Sequence, residues 1–155
     1  METWVTRIIK TIQENKLRLA FAESVTCGLI AHKLGTIKAT SEFFMGSVVC
    51  YNPNVKTGLL KVPRKLITRH STESPEVTKA LAKNLSRVID ADLYGAVTGL
   101  STADPNARHP AGTIFLCLYD GKHYVAEERH FRGSPYEIRK KAFLAMMKMI
   151  AAEVC

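Results

Sequence analysis

Apolar positions recur along the chain at two spacings, and these divide it into helices and strands. Trp4, Val5, Ile8, Ile9 and Ile12 fall at helical intervals, which predicts an amphipathic first helix over residues 4–15. Leu17, Leu19, Ala20, Phe21 and Ala22 follow with little polar alternation, the pattern of a short strand covered on both faces at 17–22. Leu29, Ile30, Ala31 and Leu34 return to helical spacing, giving a helix over about 27–34 that ends near Gly35. Thr40-Ser41-Glu42 reads as a cap leading into a short turn at Phe43 and Phe44. Gly46 to Tyr51 reads as a second buried strand, stopped by Asn52-Pro53,.

Pro53 suits a first helical position, so 54–60 forms one or two helical turns, and 63–69 forms another short helix. Ser74-Pro75-Glu76 opens a longer helix with Val77, Leu81, Leu85, Val88 and Ile89 on its buried side. Residues 92–98 make a third strand, followed by a polar loop at 99–112. Strands at 113–119 and 123–131 flank Asp120-Gly121, a strong hairpin signal. Ser134-Pro135 begins the last helix, which buries Ile138, Ala142, Phe143, Met146, Met149 and Ile150; the methionines read as core filler. The order predicts an α/β fold: a three-layer α/β/α sandwich with a mixed, mainly parallel sheet and a C-terminal β-hairpin plus helix, as a single domain over 1–155.

Composition narrows the class. The chain has 155 residues, 46% hydrophobic and 23% charged, enough for one full core. No apolar run reaches the ~18 residues of a membrane helix. The charged amphipathic amino terminus lacks an apolar signal core, so a cytoplasmic location is expected. Cys27, Cys50, Cys117 and Cys155 are widely spaced without a CxxC pair; buried free thiols are expected for all but Cys27, which falls in a loop. Net charge is +8, which favours anionic ligands. The basic residues are dispersed and carry no nucleic-acid-binding motif, so nucleic acid is not the expected partner.

Candidate chemistry concentrates in Leu17 to Gly28, LRLAFAESVTCG. A strand feeding small polar residues into a helix start presents backbone N–H groups and the positive end of the helix dipole. Ser24 sits at the mouth of that turn, as a nucleophile or, with Thr26, as a helix cap. Cys27 is a second candidate nucleophile, with no histidine partner assignable. If the first three strands are parallel, their following loops open at one edge and gather Ser24, Thr26, Tyr51, Lys56 and 98–104. A serine needs a base, and Lys56 is the available one. Lysine serves as a base only when desolvation or nearby positive charge lowers its pKa, and its commoner state is a solvated helix lysine. Tyr51 is a hydrogen-bonded strand residue or a proton shuttle. The histidines form no metal-binding spacing, and neither P-loop nor dinucleotide-fold phosphate motifs occur.

AESVTCGLIAHKL, GSVVCYNPNVKTGLLKV and TESPEV together resemble the CinA C-terminal domain family, whose usual forms run close to AESxTGG, GGVVxYSNxxK and VSxxV. The family includes stand-alone nicotinamide mononucleotide deamidases. The resemblance implies Ser24 as nucleophile, Lys56 as its activating base, Tyr51 as the strand-end tyrosine and Thr26 as the loop threonine. It further implies oxyanion stabilisation by backbone N–H groups around Thr26 to Gly28, no cofactor or metal, and a homo-oligomer. Cys27, Gly28, Thr98 and Gly99 are then expected around the substrate, with Arg139 on its phosphate. Three segments depart from the family. Its TGG is Thr26-Cys27-Gly28 here. Its loop close to SGxAGPxGG is Thr98 to Asn106, keeping only the first glycine. Its SGDR is Arg132-Gly133-Ser134-Pro135. The departures fall in substrate loops, so a catalytically silent paralogue that binds a nucleotide or another small ligand stands as the alternative.

Overall fold

A computed structural model describes residues 3–154; Cys155 lies outside them. The helices are α1 (Thr3–Glu14), α2 (Leu29–Gly35), α3 (Pro53–Gly58), α4 (Arg64–His70), α5 (Pro75–Leu85) and α6 (Pro135–Val154), with a single 3-10 turn at Thr40–Glu42. The strands are β1 (Leu19–Glu23), β2 (Phe44–Val49), β3 (Leu93–Gly99), β4 (Thr113–Tyr119) and β5 (Tyr124–His130). They form one sheet in the order β2-β1-β3-β4-β5. β1 pairs in parallel with β2 and β3, whereas β4 is antiparallel to β3 and to β5. Only β4 therefore runs against the other strands, and the sheet is mixed.

The sheet divides two cores. Leu19 and Phe21 of β1 face Val5, Ile9, Ile30, Phe143 and Met146 from α1, α2 and α6. Ala20 and Ala22 face Val77, Leu81 and Leu85 of α5 on the other side. This alternation is that of any strand, successive side chains pointing to opposite faces. It has a consequence at the strand's end, where Glu23 continues the α2 side and Ser24 the α5 side. Close packing on the α1/α6 side also fixes Gly95. A Cβ there would lie 2.5 Å from the Phe21 ring and 3.1 Å from the Met146 sulfur.

The second strand departs from its expected form. β2 begins at Phe44 and ends at Val49, and its residues are half-buried or exposed. As an edge strand it has a neighbour on one side only, so its apolar residues mark one covered face rather than two. Tyr51 then falls beyond the strand. α5 ends at Leu85, which leaves Val88 46% exposed and off the buried stripe. Cys50 and Cys117 are buried, as expected of free thiols, and Cys27 is exposed. No described helix is long and apolar enough to cross a membrane.

α5 is anchored by its cap. Ser74 is buried, and its Oγ accepts from Val77 N at 3.3 Å while donating to Ser71 O at 3.2 Å. Ser74→Ala is expected to cost about 1 kcal/mol. In a chain of this size that lowers the melting temperature by about 2–4 °C, measurable by calorimetry.

Candidate active site

The parallel strands end together. Glu23 is in register with Val49 of β2 and Val97 of β3. Cys50 N donates to Glu23 O at 2.8 Å and Ser24 N to Val97 O at 3.0 Å, so the backbone of Ser24 is clamped between its neighbours. Beyond β2, the Asn52 side chain accepts from Asn54 N at 2.9 Å and Pro53 occupies the first turn. This starts α3 sharply and turns Lys56 inward.

Lys56 is 0% exposed, and its Nζ lies 2.9 Å from Ser24 Oγ. Ser24 is itself 4% exposed. Lysine is among the residues least often buried, so a solvated α3 lysine, the commoner state, is not what the fold forms. Burial pushes the ammonium below its ordinary pKa, and the neighbouring Cys50 and Glu73 side chains partly oppose the shift. Among the described residues no carboxylate stands within 4 Å of Lys56. Desolvation without an ion pair favours the neutral amine, the form able to accept a proton from serine. Cys50 is buried nearby, its thiol pushed up to about 11 by burial, which keeps it protonated and unreactive at neutral pH.

The residue that shapes the turn is Glu23, which sequence reasoning treated only as part of the loop. It is 0% exposed. Its Oε2 accepts from Thr26 Oγ1 at 2.8 Å and from Gly28 N and Ile30 N at 3.0 Å each; its Oε1 accepts from Ala31 N at 2.9 Å. Glu23 thus caps α2, a role that sequence reasoning offered to Ser24 or Thr26. It also changes the expected oxyanion site. Gly28 N is spent on Glu23, and Cys27 N donates to Ser24 O at 3.0 Å. Among the described residues, the N–H groups of this turn without a partner are those of Val25 and Thr26. Strand parity was the available signal for Glu23, which shares the inward face of Leu19 and Phe21.

Ser24 opens into a pocket of about 190 Å³ whose wall includes Tyr51, Glu73, Gly99, Ser101, Thr102 and Asp104. Tyr51 is 58% exposed at its mouth. Gly99 has a φ of +146°, and a Cβ there would meet Thr113 O at 2.3 Å; only glycine fits where β3 turns into the loop. Thr98 is not in the wall. It is buried, and its hydroxyl meets that of Thr78 of α5 at 2.9 Å. Thr26 is likewise buried and committed to Glu23. Cys27, Gly28 and Arg139 line a different cleft with Thr26, Leu29, His32 and Tyr136, which does not include Ser24. Cys27 stands there in the left-handed region with a φ of +49°, a conformation that glycine adopts without strain. The structure thus brings Ser24, Lys56, Tyr51 and Gly99 together, and leaves Thr98, Cys27, Gly28 and Arg139 outside the pocket. A neighbouring cleft shares Ser101 and Thr102 with the pocket and carries Arg132. Among the described residues no group of three or more His, Cys, Asp and Glu side chains could hold a metal ion.

Residues 1–154 match the CinA C-terminal domain. A CinA-like protein of Geobacter metallireducens is 37% identical over 139 residues, covering 89% of this chain and 34% of its own length. The chain therefore spans about a third of the length of that relative. Among solved structures, the competence/damage inducible protein CihA from Agrobacterium tumefaciens superposes with a TM-score of 0.89 at 26% identity, covering 96% of this chain and 92% of that one. The competence damage-inducible protein A from Klebsiella pneumoniae gives a TM-score of 0.90 at 22% identity, with 96% and 93% covered.

Proposed function

Because the chain belongs to the CinA C-terminal domain family, we propose that it is an amidohydrolase in which Ser24 and Lys56 deamidate nicotinamide mononucleotide to nicotinate mononucleotide and ammonia. The observation that carries this reading is the 2.9 Å approach of a fully buried lysine to a buried serine hydroxyl. A structural role alone gives no reason to bury a lysine without a carboxylate partner, since desolvating an amine that must stay charged costs several kcal/mol.

In this mechanism neutral Lys56 takes the hydroxyl proton as Ser24 Oγ attacks the carboxamide carbon. The oxyanion that forms faces the N–H groups of Val25 and Thr26, held in place by the Glu23 carboxylate. Lys56 then passes its proton to the amide nitrogen, the carbon–nitrogen bond breaks, and ammonia leaves. Water, deprotonated by Lys56, attacks the acyl-serine ester, which releases nicotinate mononucleotide and restores Ser24. Tyr51 at the mouth offers a ring face to the substrate heterocycle. The cleft that carries Arg132 adjoins the pocket through Ser101 and Thr102 and receives the phosphate.

The test is ammonia release from nicotinamide mononucleotide by the purified chain, with Ser24→Ala as the control. Release by the parent and none by the variant supports the proposal. Release that persists in Ser24→Ala overturns the nucleophile. The departures in the 99–106 loop favour one second reading, a binding protein without turnover. Its mark is a rise in melting temperature with the nucleotide and no ammonia.

A further inference from the structure

The loop between β3 and β4 is fixed at its ends and exposed in its middle. At its base Leu100 N donates to Thr113 O at 3.0 Å and Gly112 N to Leu100 O at 2.6 Å, while Gly112 O accepts from Phe131 N at 2.9 Å. On the return limb His109 packs edge-on to Phe115 at 5.1 Å. Thr102 to Asn106 are all exposed. Their turn closes only on itself, Asn106 N donating to Asp104 Oδ1 at 2.8 Å and Ala107 N to Asp104 O at 3.1 Å. Among the described residues, one side chain from 100–112 hydrogen-bonds to another element. Arg108 Nη1 donates to Arg69 O at 2.6 Å and Nη2 to Thr68 O at 3.2 Å. These carbonyls belong to the last turn of α4, where C=O groups have no intrahelical N–H to accept from. Arg108 has no ion pair among the described residues, so its guanidinium is committed to these two bonds.

α4 leads directly to another part of the pocket wall. Ser71 N donates to Ile67 O at 2.8 Å, Ser71 Oγ to Glu73 O at 2.9 Å and Ser74 Oγ to Ser71 O at 3.2 Å, so the segment after α4 is held firmly at Glu73. Glu73 lines the Ser24 pocket, as do Leu100, Ser101 and Thr102 of the loop. Arg108 therefore joins two segments that both line the pocket without lining it itself. We propose that Arg108 is a positioning residue, clasping the loop to α4 so that Ser101 and Thr102 stand as a fixed wall for the substrate. The inference rests on the proposed amidohydrolase reading for the identity of that substrate, and adds the residue that keeps the pocket in its binding shape. A guanidinium fork suits this task, since it spans two successive carbonyls where an ammonium presents a point charge. A wall ordered before binding spares the substrate the cost of ordering it, so the clasp acts on affinity and leaves the Ser24–Lys56 step alone.

The test sets Arg108→Ala and Arg108→Lys beside the parent chain. In Arg108→Ala the amides of Asn106 and Ala107, followed by nuclear magnetic resonance, are expected to exchange with deuterium about tenfold faster. The melting temperature should stay within about 2 °C of the parent. KM for nicotinamide mononucleotide should rise about tenfold, with kcat unchanged to within about twofold. Arg108→Lys, which keeps one charged donor, should recover part of both effects. Unchanged exchange in Arg108→Ala, an unchanged KM, or a loss confined to kcat overturns the proposal. A parent chain that releases no ammonia counts against the hydrolase, and the exchange of Asn106 and Ala107 then decides the clasp: acceleration upholds it and unchanged exchange overturns it.

Discussion

Lys56→Met is expected to lose ammonia release by a factor of about 10⁴ while melting several degrees above the parent. The two effects share one cause. Lys56 is fully buried, its Nζ is placed against Ser24 Oγ, and burial holds its pKa down. For catalysis that makes it a base, and without a base serine is a poor nucleophile. Ser24→Ala removes the other half of the same unit. The double variant should fall no further than either single one, since groups acting together are lost together. For stability the buried amine is a burden. An apolar side chain of similar length in its place is expected to stabilise by about 1–2 kcal/mol, or about 3–6 °C in melting temperature.

The sign with pH follows from the lowered pKa. The folded chain binds the Lys56 proton less readily than the unfolded chain, so between the folded value and the unfolded value of about 10.4 stability rises with pH. The advantage of Lys56→Met is therefore largest below the folded pKa and shrinks as the solution becomes alkaline. Activity runs the same way, rising as Lys56 loses its proton. Melting curves across pH, set beside the pH–rate profile, check both. A variant that melts below the parent at neutral pH and keeps its turnover would show that Lys56 is a packing residue.

Much of this was legible in the chain, for identifiable reasons. The apolar run before Glu23, Asn52-Pro53, Asp120-Gly121 and Ser134-Pro135 are local signals, and the elements they mark stand where expected. β2 was misread because an edge strand and a central strand carry the same short apolar run; what separates them is the number of neighbours, which is a property of topology. Lys56 could be named but not buried from sequence, since its environment is assembled from α3, the Ser24 turn and the segment around Glu73. Arg139 is drawn to the site by motif position alone, and Thr98 by motif position together with its place at the end of a parallel strand. The fold turns Thr98 to Thr78 and sets Arg139 beside Cys27.

Glu23→Ala is expected to be the most damaging single change to the fold near this site, costing about 3–5 kcal/mol. One carboxylate accepts four hydrogen bonds, from the Thr26 hydroxyl and the N–H groups of Gly28, Ile30 and Ala31. Alanine leaves these donors facing a cavity, and each buried donor without an acceptor costs about 1–3 kcal/mol. Gly28 and Ala31 are only part-buried, so water recovers some of that loss and the total stays below the sum. The start of α2 also loses the negative charge that complements its dipole. In a chain this size the melting temperature should drop by roughly 10 °C.

Glu23→Gln separates the structural from the functional part of this role. Its amide retains one oxygen acceptor but turns an NH₂ group towards backbone N–H donors, so the turn that follows Ser24 must reopen even where the fold survives. Turnover should then fall further than the loss of folded protein explains, in kcat rather than KM, because the N–H groups of Val25 and Thr26 act on the oxyanion and not on the bound amide. A Glu23→Gln chain that melts lower but turns over at the parent kcat would confine Glu23 to capping α2. A selective loss of kcat would make it the residue that holds the oxyanion site in shape.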